Sequence, residues 1–194
     1  ATWRHEGAEA ACRAGAGLLN DTWAGIDPKL AEVAARHDVG IVCSHTGGLD
    51  PRTDAHRNRY GLQAGDVVDS TLAGVIELAE AARAAGVRED RIIIDPPPDF
   101  GKNTYHSLRL LRELDRFAAT GYPVLLAISR KDFVGEAIGE VAPSDRLYGT
   151  IAATALAIEK GAAMIRTHDV KATADAIDVT VAITGEAAPR HTVR

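Results

Sequence analysis

The stretch that decides the fold is Arg91-Ile92-Ile93-Ile94-Asp95-Pro96-Pro97-Pro98. Consecutive isoleucines without polar alternation read as a short strand buried on both faces. Asp95 ends that strand. The prolines that follow can continue neither a strand nor a helix, so they force a stiff loop directly after the carboxylate. Upstream, apolar residues at Val68, Leu72, Val75, Ile76, Ala79 and Ala82 keep helical spacing between Val67 and Ala85, and Gly86 supplies the left-handed stop. The unit is helix, glycine, buried strand, polar ending.

Working outward, the same unit recurs. Apolar runs with polar endings occur at Leu18-Leu19-Asn20-Asp21, Ile41-Val42-Cys43-Ser44-His45, Val124 to Ser129-Arg130-Lys131, and Met164-Ile165-Arg166-Thr167-His168-Asp169. Gly15, Gly40, Gly121 and Gly161 precede these runs as expected helix stops. Pro143-Ser144 opens another helix running to about Lys160, with Ser144 as the expected N-cap. Parallel strands bring their carboxyl ends to one side, so the polar endings must converge.

A doubly wound nucleotide-binding sheet would carry a glycine-rich loop after its first strand, but Gly15-Ala16-Gly17 precedes a strand instead. The expected fold is therefore α/β, a (β/α)8 TIM-type barrel. A complete barrel has eight strands and roughly 250 residues. This chain of 194 residues supplies about five of those units. The first three are expected to lie outside it, leaving apolar edges on the outer strands. Residues 1–185 form the partial barrel domain in this reading, and residues 186–194 a polar tail.

Composition narrows the function. The chain is 46% hydrophobic and 25% charged, enough to bury a core. A net charge of −5 without a basic stripe argues against a nucleic-acid surface. No apolar run is long enough to cross a membrane as a helix. Cys12 and Cys43 read as reduced core thiols, and a cytoplasmic location is expected. No Cys/His pair has zinc-ligand spacing. His45 reads as a core or rim histidine without an identifiable partner, whereas His5, His37, His56, His106 and His191 read as surface residues. Trp3 and Trp23 are expected in packing, and Arg130 in a structural salt bridge.

Asp95-Pro96 with Phe100-Gly101-Lys102, then Ser129-Arg130-Lys131, then Arg166-Thr167-His168-Asp169, in that order and spacing, resembles dihydropteroate synthase. Leu19-Asn20-Asp21 and Gly149-Thr150-Ile151-Ala152-Ala153 match as well. The resemblance covers essentially the whole chain, aligned to the carboxyl-terminal two-thirds of the family. It implies the barrel fold and a reaction joining a dihydropterin methyl diphosphate to para-aminobenzoate, releasing pyrophosphate on the route to folate. It further implies magnesium held by loops that this chain lacks, no metal ligand within the chain, and a homodimer formed through the last helices.

The resemblance assigns Asn20, Asp95, Lys131 and Arg166 to the pterin, and Arg166, Thr167 and His168 to the diphosphate. Phe100 and Asp132 fall on the acceptor side, and Lys131, Arg166 and His168 are the implied catalytic residues. The chemistry suits these types. A pterin offers an amino group and a ring N–H side by side, which one carboxylate accepts as charge-assisted bonds. An amide such as Asn20 bonds the remaining ring edge. Lysine donates to ring acceptors, and a guanidinium both stacks on the ring and touches phosphate. Catalysis is then largely orientation of the amine and stabilisation of separating charge.

Departures from the family pattern accompany the matches. Pro97-Pro98-Asp99 replaces a glycine-rich stretch, Ala1-Thr2 stands where Asp-Thr is usual, and Ser44 and Thr46 flank His45 where sulfur-containing residues often stand. Asp132 follows Ser-Arg-Lys where serine is usual. A carboxylate there is expected to repel the acceptor's benzoate; capping of the short helix beginning at Phe133 is the competing account. The pattern resembles a paralogous branch whose synthase activity is in question. The favoured reading is a dihydropteroate synthase. The alternatives are a pterin-binding paralogue without turnover and a methyltetrahydrofolate methyltransferase-type barrel.

Overall fold

Helix and strand alternate as the glycine punctuation requires. The computed structural model describes residues 1–48, 60, 66–139 and 142–192. The helices are α1 (His5–Arg13), α2 (Lys29–Arg36), α3 (Asp66–Ala84), α4 (Thr104–Arg112), α5 (Asp115–Ala118), α6 (Asp132–Ile138), α7 (Leu147–Glu159) and α8 (Val170–Thr184). Between them run β1 (Leu18–Asp21), β2 (Gly40–Ser44), β3 (Ile92–Asp95), β4 (Leu125–Leu126) and β5 (Met164–Ile165).

β1, β2 and β3 pair in parallel, as do β4 and β5. A parallel bridge between Ile94 and Val124 joins the two groups, with the Ile94 N–H donating to Pro123 O at 3.0 Å. Strand order therefore follows chain order, as in a barrel wall, and does not reverse as in a doubly wound sheet. The fourth run forms a shorter ladder than its apolar length suggests, since only Leu125 and Leu126 pair regularly with β5.

Register sorts the strand residues into two faces. Asn20 lies opposite Val42, and Ser44 opposite Asp95, so Asn20, Val42, Ser44 and Asp95 share one face by the period of two. Leu19, Ile41, Cys43, Ile92 and Ile94 share the other face and pack with Val33, Val75, Leu110 and Phe117 in the core under the helices. The polar face is thus the inner wall. Cys12 and Cys43 are free and buried, and burial pushes the Cys43 thiol up to about 12. The outer strands leave Leu18 and Met164 38% and 39% exposed.

Gly15, Gly86, Gly121 and Gly161 adopt the expected left-handed conformation, at φ of +98°, +98°, +86° and +95°. Gly40 does not serve as a stop. It is the first residue of β2, and the left-handed turn after α2 falls on Asp38, at φ +50°. A Cβ on Gly40 would meet Leu18 Cδ1 at 2.8 Å, so its role is close strand approach. Ser144 likewise is not the cap of a long helix. Pro143–Asp145 form one 3-10 turn and Ser144 Oγ donates to Asp145 Oδ1, while α7 begins at Leu147. Among the described residues no helix is long and apolar enough to cross a membrane. His56 lies outside the described residues.

Candidate functional site

The inner ends of β2, β3 and β4 converge on Asp95. Thr22, Ser44, Asp95, Phe100, Lys131 and Arg166 line one cavity there, of about 10 Å³. Asp95 is 4% exposed. One of its oxygens, Oδ2, accepts from Ser44 Oγ at 3.0 Å, and the other, Oδ1, is buried with no partner among the described residues. Burial raises its pKa, opposed by Lys131, the Ser44 bond, Arg166 and Lys102. Asn20 Oδ1 on the same face is also buried and unpartnered. A buried acceptor without a donor costs free energy, so the inner wall carries two acceptors suited to an incoming N–H-bearing ring.

The cations around these acceptors differ in setting. Lys131 ends the Ser-Arg-Lys turn, lies 4.9 Å from the Phe100 ring centroid and donates to Pro98 O. Burial lowers its pKa to about 8, with Asp95 and Asp99 opposing and Arg166 assisting. Phe100 packs edge-on against Trp23, with centroids 5.9 Å apart. Arg166 follows β5, its N–H donating to Leu126 O at 2.9 Å. Its exposed guanidinium makes no hydrogen bond or ion pair among the described residues.

His168 lies two residues further along. Its backbone N–H donates to Ser129 Oγ at 3.2 Å, and its Nδ1 lies 3.0 Å from the same oxygen. An Nδ1 that accepts the Ser129 hydroxyl proton leaves the ring hydrogen on Nε2 as a donor. Thr167 is arranged differently from the expectation. Its hydroxyl meets Thr173 Oγ1 at 2.9 Å and accepts the Asp169 N–H at 3.2 Å, so it organises the start of α8.

Asp132 also departs from expectation. Its carboxylate accepts from Arg146 Nη1 at 2.8 Å, is 62% exposed, and does not line the Asp95 cavity. Arg146 additionally donates to Arg130 O at 2.9 Å. The repulsion expected from an isolated carboxylate is therefore offset by the buried Arg146 guanidinium paired with it. Arg130 forms the expected salt bridge, forked onto Asp169 at 3.0 and 2.7 Å, with φ at +59° and its N–H on Thr150 Oγ1 at 3.1 Å. That backbone turn sends consecutive side chains to opposite tasks, Arg130 outward to Asp169 and Lys131 inward.

Sequence reasoning missed the most buried charge. Lys102 is 0% exposed and donates to Phe100 O at 2.8 Å and to His45 O at 3.4 Å, with His45 Nδ1 at 3.1 Å. Burial lowers its pKa to about 7, while burial and Lys102 together lower His45 to about 3. His45 is thus a neutral core histidine whose partner is this lysine. A Cβ at Gly74 would stand 2.6 Å from the His45 ring, so α3 makes room for it through that glycine. The available signal was Lys102 directly after Phe100-Gly101 in a proline-stiffened loop.

The donor set does not suit magnesium. Asp95 is a single carboxylate flanked by Lys131 and Arg166, whereas that ion seeks several oxygen ligands. Among the described residues the one group with ligand-like spacing is His5, Glu6 and Asp27, where His5 Nδ1 is already 2.7 Å from Asp27 Oδ2.

Comparison with known proteins bears on the family and the fold. The family model described as pterin binding enzyme matches residues 1–168. An inactive dihydropteroate synthase 2 of Mycobacterium tuberculosis is 51% identical over 193 residues, which cover all of this chain and 60% of that relative. A Bacillus subtilis dihydropteroate synthase is 39% identical over 171 residues, 88% of this chain and 55% of that protein. The solved dihydropteroate synthase of Thermus thermophilus in complex with 6HMPPP superposes with a TM-score of 0.87 at 40% identity, covering 95% of this chain and 71% of that one. The same enzyme in complex with 4-aminobenzoate gives 0.87 and 40%, covering 95% and 73%. The strand-end groups sit in an incomplete TIM-type barrel, and the chain belongs to the pterin binding enzyme family, that of the dihydropteroate synthases.

Proposed function

We propose that this protein binds a dihydropterin methyl diphosphate and turns it over weakly or not at all as a dihydropteroate synthase. The observation that carries the reading is the pair of unpartnered acceptors on the inner wall, Asp95 Oδ1 and Asn20 Oδ1. The pterin amino group and ring N–H supply the missing donors, Lys131 serves the ring acceptors, and Arg166 with His168 Nε2–H receives the diphosphate. The relatives named inactive, at 51% identity, support low turnover. Solved neighbours in complex with 6HMPPP and with 4-aminobenzoate support the choice of ligands.

A second reading, the complete condensation with para-aminobenzoate, draws on the Asp132–Arg146 pair, because a neutralised Asp132 does not exclude a benzoate. In that reading Lys131, Arg166 and His168 hold the ring and stabilise the departing pyrophosphate, while Phe100 borders the acceptor. A methyltetrahydrofolate methyltransferase is disfavoured, since its substrate has no diphosphate to occupy Arg166 and His168. Magnesium would have to come from residues outside the described site. A homodimer through α7 and α8 is the partner reading, supported by exposed Tyr148, Leu156, Val170, Val179 and Ile183.

Calorimetry on the full-length protein tests the proposal. Asp95→Asn exchanges a charge-assisted acceptor pair for one acceptor and a mismatched donor, and should weaken pterin diphosphate binding by about 2–4 kcal/mol. Unchanged affinity would remove Asp95 from the site. Pyrophosphate release at an ordinary synthase rate would instead establish the second reading.

A further inference from the structure

Asp99 occupies a place where two otherwise separate loops meet. It stands in the left-handed region at φ +62°, its N–H donates to Ser107 Oγ at 3.0 Å, and Ser107 Oγ donates to its Oδ1 at 3.1 Å. Its other oxygen, Oδ2, accepts the Phe133 N–H at 3.3 Å, in the first turn of α6. One residue before it, Pro98 O receives the Lys131 ammonium. The loop after β3 is therefore fastened to the Ser-Arg-Lys turn and α6 at two successive residues, beside an Asp95 cavity of about 10 Å³, the space of about one water. A flat bicyclic ring is larger than that space, and Lys131 is one of the groups that line it.

We infer that Asp99 is a positioning residue: by fastening the loop of residues 96–103 to α6 it holds the Lys131 ammonium on Pro98 O, closes the cavity, and weakens binding of the pterin ring. This rests on the proposed pterin reading for its ligand. The electrostatics agree with the geometry. Lys131 faces Asp95 from β3, Asp99 from the loop after it and Arg166 from the end of β5, and Lys102 repels it from the same loop. Asp99 is one of the two carboxylates that keep Lys131 charged in a buried setting. Removing it frees the loop and makes the lysine easier to deprotonate.

Two variants of the full-length protein separate these effects. Asp99→Asn keeps the shape, tolerates a left-handed backbone and removes the charge; Asp99→Gly also suits φ +62° and removes the fastening. The first readout needs no ligand: the titration of the Lys131 15Nζ signal, assigned with Lys131→Arg. In Asp99→Asn it should move to lower pH. The second readout is calorimetry with dihydropterin methyl diphosphate, where Asp99→Gly should bind roughly fivefold tighter, the size of one lost hydrogen bond holding the closed form. In Asp99→Asn the fall of affinity at alkaline pH should begin at a lower pH than in the unmodified protein. An unmoved Lys131 titration overturns the inference, and so does unchanged pterin affinity in Asp99→Gly. If no variant binds pterin while the Lys131 titration moves, the ligand reading fails and the positioning of Lys131 by Asp99 stands.

Discussion

The strand ends at β3 and at β5 both carry cations toward the same side of the sheet, yet they treat them oppositely. At β3, Asp95 and Lys102 are sealed from solvent, and every Lys102 contact is to a fixed backbone or ring acceptor. At β5, Arg166 and His168 are exposed, and the guanidinium has no fixed partner among the described residues. The sealed end gives shape and discrimination, because a wrong ligand leaves buried groups unpaired. The open end gives attraction without discrimination, screened by salt.

The largest expected effect lies at the sealed end. Lys102→Met should destabilise the fold by about 2–4 kcal/mol, since Phe100 O and His45 Nδ1 lose their buried donor. Chemical denaturation checks this, and a loss no larger than that of an Arg166 variant would erase the contrast. The pH dependence of stability sharpens the contrast. Lys102 titrates at about 7 when folded and near the ordinary lysine value, about 10.4, when unfolded. The unfolded chain holds the extra proton between those values, so stability contributed through Lys102 should rise with pH across that window. Lys102→Met should flatten the rise.

Next in size is the pH dependence of binding. Lys131 loses its proton at about 8, so pterin diphosphate affinity should hold below that pH and decline above it. Affinity that is flat from neutral to pH 9.5 would remove Lys131 as a donor to the ring.

At the open end, His168→Ala should cost about 1–2 kcal/mol in diphosphate affinity, and the cost should shrink as salt is added. Competition by pyrophosphate at low and high salt measures it. A salt-independent loss would mean that this end is as desolvated as the other.

The smallest effect is expected at Asp132. Its pairing with Arg146 in a largely exposed position predicts that Asp132→Ser changes para-aminobenzoate affinity by less than about 1 kcal/mol. A large gain in affinity would restore the repulsion argument.

What could be read from the chain follows from range. Glycine stops and buried runs are local signals, and they identified all five strands. Alternation within β1 distinguishes inward Asn20 from Asp21, whose carboxylate accepts the Trp23 and Gly25 N–H groups at 3.0 and 2.8 Å. Lys102 was missed because its burial depends on a partner 57 residues away, and a lysine beside a loop ordinarily stays solvated. The partner of Asp132 was illegible for the same reason: Arg146 reaches it from the turn before α7. The Gly40 and Ser144 boundaries slipped because a left-handed Asp38 and a proline-led 3-10 turn did the work expected of them.

The Arg130–Asp169 fork has a consequence beyond holding charge. It bolts the end of β4 to the start of α8, with Lys131 adjacent to one jaw and His168 to the other. If the proposed ligand sites are right, a displacement that draws Lys131 toward a ring is passed through this fork to the segment of Arg166 and His168. Ring and diphosphate carried on a single molecule should be felt as one cooperative ligand, whereas the same fragments offered separately should each report on the other's presence.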